Sequence, residues 1–475
     1  MAKIYTARWV LPIASPRIED GAVAIDGSRI VAVGTRATVV RQFPDSAFED
    51  FGSAVILPGL INTHSHLELT VMRGFLEAEE HDFFAWLRKL TVARMAMTDE
   101  DLLVSATCGA IEAARAGITC LGDSSSFATQ AMKAIADVGL RAIVYQESFG
   151  PDPDLAKENV NKLREQVGSM RALETEQVKA GVSPHAPYTV SAPQLELISK
   201  LAADERLPLM MHAAESEAER LFMLEGKGPF AEGLRKRGIE WRAPGVSTIQ
   251  YLERLGVMAR RPLLAHCINV DDADIALMKE RSAGISHCPK SNAKLWHGRA
   301  PFAKFIGGKL NVGLGSDSVA SNNTCDILEE ARVAVLFSRL PSPLGRGVGG
   351  EGFVTEPRTV VSGSGQAHEV SATDALFAAT LGGARALGLE DEIGTLQPGM
   401  AADITIVDLN GAHQQPANAP EDALIFSSSG KDVILTMVGG KVIYRAAAVA
   451  AVDEAAAFAR LGEIRRRIDA AWVRV

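Results

Sequence analysis

Seven largely apolar residues, VILPGLI (residues 55–61), run directly into NTHSH (residues 62–66). A short apolar run that ends in polar residues is typical of a buried β-strand. Side chains in a strand alternate between its two faces, so His64 and His66 should point to the same side. The stretch therefore predicts a buried strand that presents two imidazoles side by side at its carboxyl end.

This apolar run is the first of eight in the middle of the chain, and helical patterns separate them. Alternating strands and helices of this number favour a (β/α)8 TIM barrel of the α/β class, which we place at residues 57–388. A doubly wound open sheet is the structural alternative, and the polar residues at the strand ends favour the barrel. The other seven runs are 118–121, 141–145, 178–182, 207–211, 263–265, 284–286 and 310–314.

Outside the barrel, the two ends of the chain share an antiparallel pattern. Residues 22–25 and 29–33 flank a turn at Asp26, and residues 433–438 and 441–444 flank a turn at Gly439. Because chain termini often lie close together, we expect residues 1–56 and 389–445 to form one small β-sandwich. Residues 446–475 predict a terminal helix, and the Gly- and Pro-rich stretch 341–366 predicts a flexible surface insertion.

The composition is that of an ordinary globular chain of 475 residues, 47% hydrophobic and 23% charged. A net charge of −9 argues against a nucleic-acid partner, and no apolar run approaches the ~20 residues that span a bilayer. The five cysteines form no CxxC pair, and the N-terminus lacks the apolar core of a signal peptide. We therefore expect a cytoplasmic protein without nucleic-acid or membrane partners.

Histidine and aspartate recur where the predicted strands end. The carboxyl ends of barrel strands meet at one face of the barrel, so these side chains should lie close together. Neutral imidazole is the commonest zinc ligand, and a carboxylate completes such a site. A lone His-x-His pair is a weak signal, but the set as a whole predicts a metal site. The residues at the predicted strand ends are His64, His66, His185, His212, His266 and Asp317.

Seven segments carry a resemblance to a known family: LPGLINTHSH (57–66), SPHAPY (183–188), HAAE (212–215), AHC (265–267), HCPKSN (287–292), GLGSD (313–317) and GTLQPGMAAD (394–403). Through them the chain resembles the amidohydrolase superfamily, in its branch of aminohydrolases and chlorohydrolases. The resemblance runs from about residue 23 to residue 444. It leaves out only the Gly- and Pro-rich insertion and the terminal helix.

The resemblance implies one divalent metal per chain, held by His64, His66, His212 and Asp317. Two-metal members of the family carry a bridging lysine at the end of the fourth strand, where this chain has SPH (183–185). Zinc suits three histidines and one aspartate, and iron or manganese fits the same ligands. Relatives in this branch are often dimers or larger, which implies a homo-oligomer.

Three residues are expected to carry the chemistry. Asp317 can take a proton from the attacking water, and Glu215 can protonate a ring nitrogen and then the leaving group. His266 can hydrogen-bond the attacking oxygen. The structural alternatives are a place in the core for Trp86 and helix-capping roles for Ser291 and Asn292. The expected substrate contacts are His185, Trp86, Glu147, Ser291 and Asn292.

The predicted reaction is nucleophilic hydrolysis at an electron-poor carbon. The resemblance implies that the substrate is an aminated heterocycle and that ammonia is the leaving group. Segments 83–87, 145–150 and 228–232 are similar to deaminases of adenine nucleosides, of the aminodeoxyfutalosine, S-adenosylhomocysteine and methylthioadenosine types. Ala85 departs from that similarity, because relatives often carry an acid there that holds the substrate.

Two other functions compete with this prediction. A chlorohydrolase or a cyclic amide hydrolase, acting on a guanine, pterin or triazine ring, would use the same metal site. Glu215 favours deamination over chloride release, since an amine needs a proton to leave and chloride does not. A non-catalytic binding protein is the third alternative, and the complete set of metal ligands argues against it.

Overall fold

The protein is described by a computed structural model over residues 2–340, 368–445 and 448–472. The insertion predicted at 341–366 lies outside these residues, as do both ends of the predicted terminal helix. In the part of the chain that is described, no helix is long and apolar enough to span a bilayer.

The strands of the described residues form one group at the two chain ends and another in the middle. In chain order they are β1 (Lys3–Val10), β2 (Ile18–Asp26), β3 (Arg29–Thr35), β4 (Phe48–Asp50), β5 (Ala54–Pro58), β6 (Leu60–Ser65), β7 (Ile118–Ser125), β8 (Arg141–Ser148), β9 (Val178–Pro184), β10 (Met210–Ala213), β11 (Leu263–His266), β12 (Gly284–His287), β13 (Asn311–Leu314), β14 (Ile404–Asp408), β15 (Val433–Val438), β16 (Lys441–Arg445) and β17 (Ala448–Val449).

Helices connect the strands, and the last described element of the chain is also a helix. The α-helices are α1 (Arg36–Gln42), α2 (Phe83–Met95), α3 (Asp99–Arg115), α4 (Ala128–Val138), α5 (Ala156–Arg171), α6 (Ala192–Glu205), α7 (Glu217–Glu225), α8 (Pro229–Lys236), α9 (Thr248–Arg254), α10 (Asp272–Glu280), α11 (Pro289–Lys294), α12 (Phe302–Gly307), α13 (Val319–Asn322), α14 (Ile327–Arg339), α15 (Ala372–Phe377), α16 (Gly383–Leu387), α17 (Pro420–Asp422) and α18 (Glu454–Trp472). Short 3₁₀ helices lie at Leu67–Met72, Glu77–Glu79, Pro153–Leu155, Met258–Arg260, Ala412–Gln414 and Gly430–Asp432, and π-helical turns at Ala378–Gly382 and Ala423–Ser427.

The eight middle strands form a closed parallel barrel, which confirms the predicted fold class. Strands β6 to β9 pair in chain order in one parallel sheet, and β10 to β13 pair in chain order in another. Single parallel bridges join the two sheets, from Ser65 to Asp317 on one side and from Val182 to Leu209 on the other. Each of the eight barrel strands overlaps one of the apolar runs of the sequence.

The first of those runs is divided between two parts of the fold. Its beginning is β5, which pairs with β1 and β14 outside the barrel, whereas the barrel strand β6 begins at Leu60. The chain crosses from one to the other at Gly59, where an added Cβ would lie 2.0 Å from the Thr119 hydroxyl oxygen. Only glycine fits this crossing without a shift of neighbouring atoms, so the barrel begins after Gly59.

The segments from the two chain ends form a separate β-rich unit, as the sequence predicts. Their strands make one continuous hydrogen-bonded sheet in the order β17-β16-β15-β14-β5-β1-β2-β3, with β4 beside β1. One face of this sheet packs a core that includes Tyr5, Ile56 and Ile404. Side chains of the opposite face, among them Val55 and Val407, join the main core of the barrel. The described segments from the two chain ends therefore form one nine-stranded sheet, and this sheet is packed on both faces.

The terminal helix α18 packs beside α3 and supports the side of the barrel where α2 lies. Thr98 and Asp101 cap α3 reciprocally, because each side chain bonds to the backbone N–H of the other residue. Asp101 also contacts Arg467 of α18, and Ile464 and Ile468 of α18 are buried in a cluster that includes Trp86 of α2. This packing fixes α2 against the carboxyl face of the barrel.

Candidate active site

Three histidines and one aspartate come together at the carboxyl ends of the barrel strands. His64 lies near the end of β6, His66 directly follows it, His212 lies on β10 and Asp317 follows β13. One ligand atom from each of the four lies within 4.8 Å of the others. Oδ1 of Asp317 is 3.2 Å from Nε2 of His64 and 3.5 Å from Nε2 of His66. The four residues that the sequence singles out as metal ligands are thus neighbours in space.

The backbone turns sharply at this face. Ala214, His266 and Asp317 have φ values of 53°, 72° and 55°, in the left-handed region that residues other than glycine rarely adopt. Such strained conformations persist only where the surrounding structure holds them, and they cluster at functional sites. Here each one lies at or just after the end of a barrel strand, close in sequence to the candidate metal ligands or to Glu215.

The chemistry of these four side chains fits a divalent metal. Neither ring nitrogen of His64 has a hydrogen-bond partner among the described residues, although both are buried. Leaving a buried polar group unpaired costs about 1–3 kcal/mol, and coordination of a metal would remove that cost. Burial lowers the pKa of His64 to about 3, so its ring is neutral and its lone pair is available. Three imidazoles and one carboxylate are a typical donor set for zinc.

Neighbouring groups orient two of the ligands. The backbone oxygen of His185 accepts a hydrogen bond from Nδ1 of His212 at 3.0 Å, which leaves Nε2 of His212 free to bind a metal. Oδ2 of Asp317 accepts hydrogen bonds from the hydroxyls of Ser291 (2.5 Å) and Ser321 (2.9 Å), so Oδ1 faces the histidines. Burial alone would raise the pKa of Asp317, but the neighbouring imidazoles of His64, His266 and His66 hold it well below its usual value.

Ser291 and Asn292 were expected to contact substrate, and the structure places them behind the site instead. Both side chains are buried and neither lines the cavity described below. Ser291 donates to Asp317, and Oδ1 of Asn292 accepts from Nδ1 of His266 at 2.8 Å. Their contacts are with a metal ligand and with a candidate catalytic imidazole, which they orient. Both residues lie on the buried side of α11, which places their side chains beside Asp317 and His266.

Glu215 lies beside the candidate metal ligands, and its carboxyl is partly protonated at neutral pH. Its Oε1 is 3.5 Å from Nε2 of His266, and its Oε2 accepts a long hydrogen bond of 3.4 Å from the Tyr188 hydroxyl. The loop that carries it is fixed by Glu219, whose carboxylate accepts from the backbone N–H groups of Ala214 and Glu215. Burial raises the pKa of Glu215 to about 7. The side chain can therefore act as a proton donor at neutral pH.

A cavity of about 420 Å³ opens directly onto Glu215 and three of the four candidate metal ligands, His66, His212 and Asp317. Its volume lies in the range of small-molecule sites, ~300–1,000 Å³. Three of the five expected substrate contacts line it, namely His185, Trp86 and Glu147. The rest of the wall is mainly apolar and aromatic, from Leu69, Phe83, Leu87, Leu90, Phe149, Tyr188, Phe230 and Leu295.

One end of the cavity is charged, through a residue that the sequence analysis missed. Arg94, on α2, lines the cavity. Its Nη1 lies 3.8 Å from Oε2 of Glu147 and 3.7 Å from Oε1 of Glu68. Burial opposes ionisation of Glu147, but the charges of His66, His185 and Arg94 hold its pKa at about 2. Arg94 lies eight residues after Trp86, so helical spacing places both on one side of α2. That spacing is the signal from which Arg94 was predictable.

An eight-stranded barrel with three histidines and an aspartate at its carboxyl face defines a class of metal-dependent hydrolases. The chain belongs to the amidohydrolase family, whose model matches residues 55–443 and confirms the resemblance seen in the sequence. A shorter match, to the imidazolonepropionase-like composite domain of bacteria, covers residues 21–45. Membership of this family, with relatives named as deaminases, indicates a hydrolase that acts on carbon–nitrogen bonds.

The chain is similar to nucleoside deaminases over nearly its whole length. It is 30% identical to a 5-methylthioadenosine/S-adenosylhomocysteine deaminase of Desulforudis audaxviator, over 97% of each chain. It is 31% identical to a 5'-deoxyadenosine deaminase of Methanosarcina mazei, over 92% of this chain and 91% of the relative. A solved adenosine deaminase from Xanthomonas campestris, with bound zinc, is 27% identical, with a TM-score of 0.81 and 98% of each chain covered.

Proposed function

We propose that this chain is a metal-dependent deaminase that removes ammonia from the adenine ring of a nucleoside. One observation carries the proposal: Glu215, with a pKa of about 7, stands beside the metal ligands in the cavity where a substrate would bind. Release of ammonia from an aminated ring requires a proton donor at that place. The names of the two curated relatives described above, both deaminases of adenine nucleosides, support the same reaction.

His64, His66, His212 and Asp317 would hold one divalent ion per chain. The three imidazoles and one carboxylate favour Zn²⁺, and Fe²⁺ or Mn²⁺ fits the same donors. When bound, the ion supplies the nucleophile, because it lowers the pKa of a water molecule from ~15.7 to ~7.

The side chains of the site would then move the protons. Asp317, which is ionised, accepts a proton from the attacking water as the new bond to carbon 6 of adenine forms. Glu215 donates its proton to the adjacent ring nitrogen. Glu215 then receives the proton taken from water and delivers it to the amino group, which leaves as ammonia when its bond to carbon 6 breaks. The proton of the new hydroxyl on carbon 6 returns to Glu215 as that C–O bond becomes a carbonyl, which restores the proton donor. The product is the hypoxanthine nucleoside.

His266 would assist at the attacking oxygen. Its Nδ1–H is held by Oδ1 of Asn292, so the neutral ring presents a lone pair at Nε2. That nitrogen can accept a hydrogen bond from the attacking water, and it can donate one once it has gained a proton. We assign Ser291 and Asn292 supporting roles, because each bonds to a residue of the mechanism.

The cavity wall supports a flat aromatic substrate. Trp86 stacks on Phe83 with ring centroids 6.1 Å apart, and both side chains line the cavity. We propose that Trp86 packs against the nucleoside and that His185 contacts it from the opposite side of the metal. Glu147 and Arg94 would contact its polar or charged end.

A panel of adenine nucleosides tests the proposal directly. Zinc-loaded protein is incubated with aminodeoxyfutalosine, S-adenosylhomocysteine, methylthioadenosine, 5′-deoxyadenosine and adenosine, and the ultraviolet shift from adenine to hypoxanthine is followed. Ammonia release is measured in parallel, with metal-stripped protein as the control. We expect rapid turnover of at least one member. No turnover of any member by protein that holds its metal would refute the adenine assignment, and activity on guanine, pterin or triazine rings would replace it.

A homo-oligomer, which the resemblance to this branch implies, is also part of the proposal. Light scattering of the purified protein tests it, and a monomer at micromolar concentration would contradict it. The cytoplasmic location stays a prediction from the sequence.

A further inference from the structure

His297 is buried in a segment whose neighbouring aromatic residue is exposed. It lies three residues after the end of α11, and its side chain is 7% exposed, whereas Trp296 before it is 78% exposed. Trp296 has a φ of 59° and Gly298 a φ of 105°, so the backbone turns on both sides of His297. Hydrophobic burial would favour the opposite arrangement, with the indole inside and the imidazole in water. The segment therefore directs a polar ring inward at a cost in stability.

The ring of His297 points at Glu215. Its Nε2 is 3.6 Å from Oε1 of Glu215, and it has no hydrogen-bond partner among the described residues. The ring of His297 also makes an edge-on contact with Phe83 of the cavity wall, at 4.6 Å between ring centroids. Catalytic hydrogen bonds are often long without substrate and shorten in the complex. A buried, unpartnered nitrogen beside the carboxyl is thus placed to bond to it during the reaction.

The neighbouring imidazole leaves a role open for this nitrogen. His266 also approaches Oε1 of Glu215, at 3.5 Å, but its Nδ1–H is committed to Asn292. Neutral His266 therefore faces Glu215 with a lone pair, and it can bond to the carboxyl only while the carboxyl is protonated. After Glu215 has given its proton to the substrate, Oε1 needs a donor, and the Nε2–H tautomer of His297 supplies one.

We propose that His297 is a positioning residue for Glu215: its Nε2–H bonds to the ionised carboxylate and holds it in place until the proton for the leaving group arrives. The inference rests on the proposed deamination, in which Glu215 gives up a proton and then delivers a second one. His297 itself touches no reacting atom in this scheme. Its effect is therefore on kcat, while KM and metal binding depend on other residues.

Three substitutions of His297 distinguish a role as hydrogen-bond donor from a role in packing alone. His297→Gln places an amide N–H near the position of Nε2, His297→Asn places it near Nδ1, and His297→Ala removes it. We expect kcat to fall about tenfold in the Ala and Asn variants, with KM and metal content within about twofold of the wild type, and to recover in the Gln variant. His413→Ala is the matched control, because His413 is 55% exposed and bonds to Asp432 in the terminal unit.

Each outcome supports or overturns the inference. If all three variants keep the kcat of the wild type, or if Gln loses as much kcat as Asn, then His297 is not a donor to Glu215. If Ala fails to fold, the comparison of Gln with Asn decides alone. An inactive Glu215→Gln variant beside a fully active His297→Ala variant would refute this inference and leave the proposed function standing. A wild type that deaminates no adenine nucleoside would refute both.

Discussion

Replacing the carboxyl of Glu215 by an amide tests the proposed proton transfer with little change in shape. Glu215→Gln keeps an oxygen that can accept from the Tyr188 hydroxyl, which lies 3.4 Å from Oε2. It removes a proton donor whose pKa of about 7 leaves roughly half of the molecules protonated at pH 7. General acid catalysis contributes ~10²–10⁴-fold, which corresponds to ~2.7–5.4 kcal/mol in the barrier. We expect a loss of kcat in that range.

The assay follows deamination of the best nucleoside of the panel by absorbance, with metal content measured on the same samples. Metal content should stay at the wild-type value, because Glu215 is not among the four ligands. Glu217→Gln is the matched control, since Glu217 is 60% exposed, pairs with Arg220 and should keep its kcat within about twofold. A Glu215→Gln variant that retains more than about a tenth of the wild-type kcat would refute the role of Glu215 as proton donor.

Metal binding, pH dependence and the aromatic wall give three further predictions. His64→Ala should hold less than about one tenth of an equivalent of metal and show no turnover, since His64 is one of the four ligands; a full equivalent by elemental analysis would contradict the ligand assignment. The kcat/KM of the wild type should fall as pH rises above about 7, because the pKa of Glu215 is raised to about 7 and only its protonated form donates. A flat profile between about pH 6 and about pH 9 would argue against that pKa. Trp86→Leu should raise KM about fivefold with kcat little changed, through loss of ~0.5–1.5 kcal/mol of ring stacking. An unchanged KM would mean that Trp86 packs in the core and does not contact the substrate.

Much of the barrel, and the gathering of the candidate metal ligands at one of its faces, was predictable from the sequence. Short apolar runs mark the eight strands, and chemistry-bearing residues follow them, so the rule that strand ends meet at one face brings His64, His212 and Asp317 together. The same rule places Glu215 next to them. These predictions succeed because they depend on the order of strands along the chain, which in a parallel barrel is also the order in space.

Features that depend on tertiary packing were not predictable in this way. The run at 55–61 reads as one strand, yet the chain passes from β5 to β6 at Gly59, where the side chain of Thr119 leaves no room for a Cβ. Ser291 was assigned to substrate, but the side of α11 that faces inward is fixed by neighbours distant in sequence, so it bonds to Asp317. His297 lies in an irregular segment with no periodicity, and nothing in the sequence indicates that it reaches Glu215.

The most direct measurement is a metal titration of deaminase activity. Metal-stripped protein receives Zn²⁺ in steps, and the rate of conversion of adenine to hypoxanthine is measured at each step with the preferred nucleoside. With one set of four ligands, the rate should rise linearly to one equivalent per chain and then stay constant. Full activity without added metal, or a rate that rises until two equivalents are bound, would contradict a single-metal deaminase.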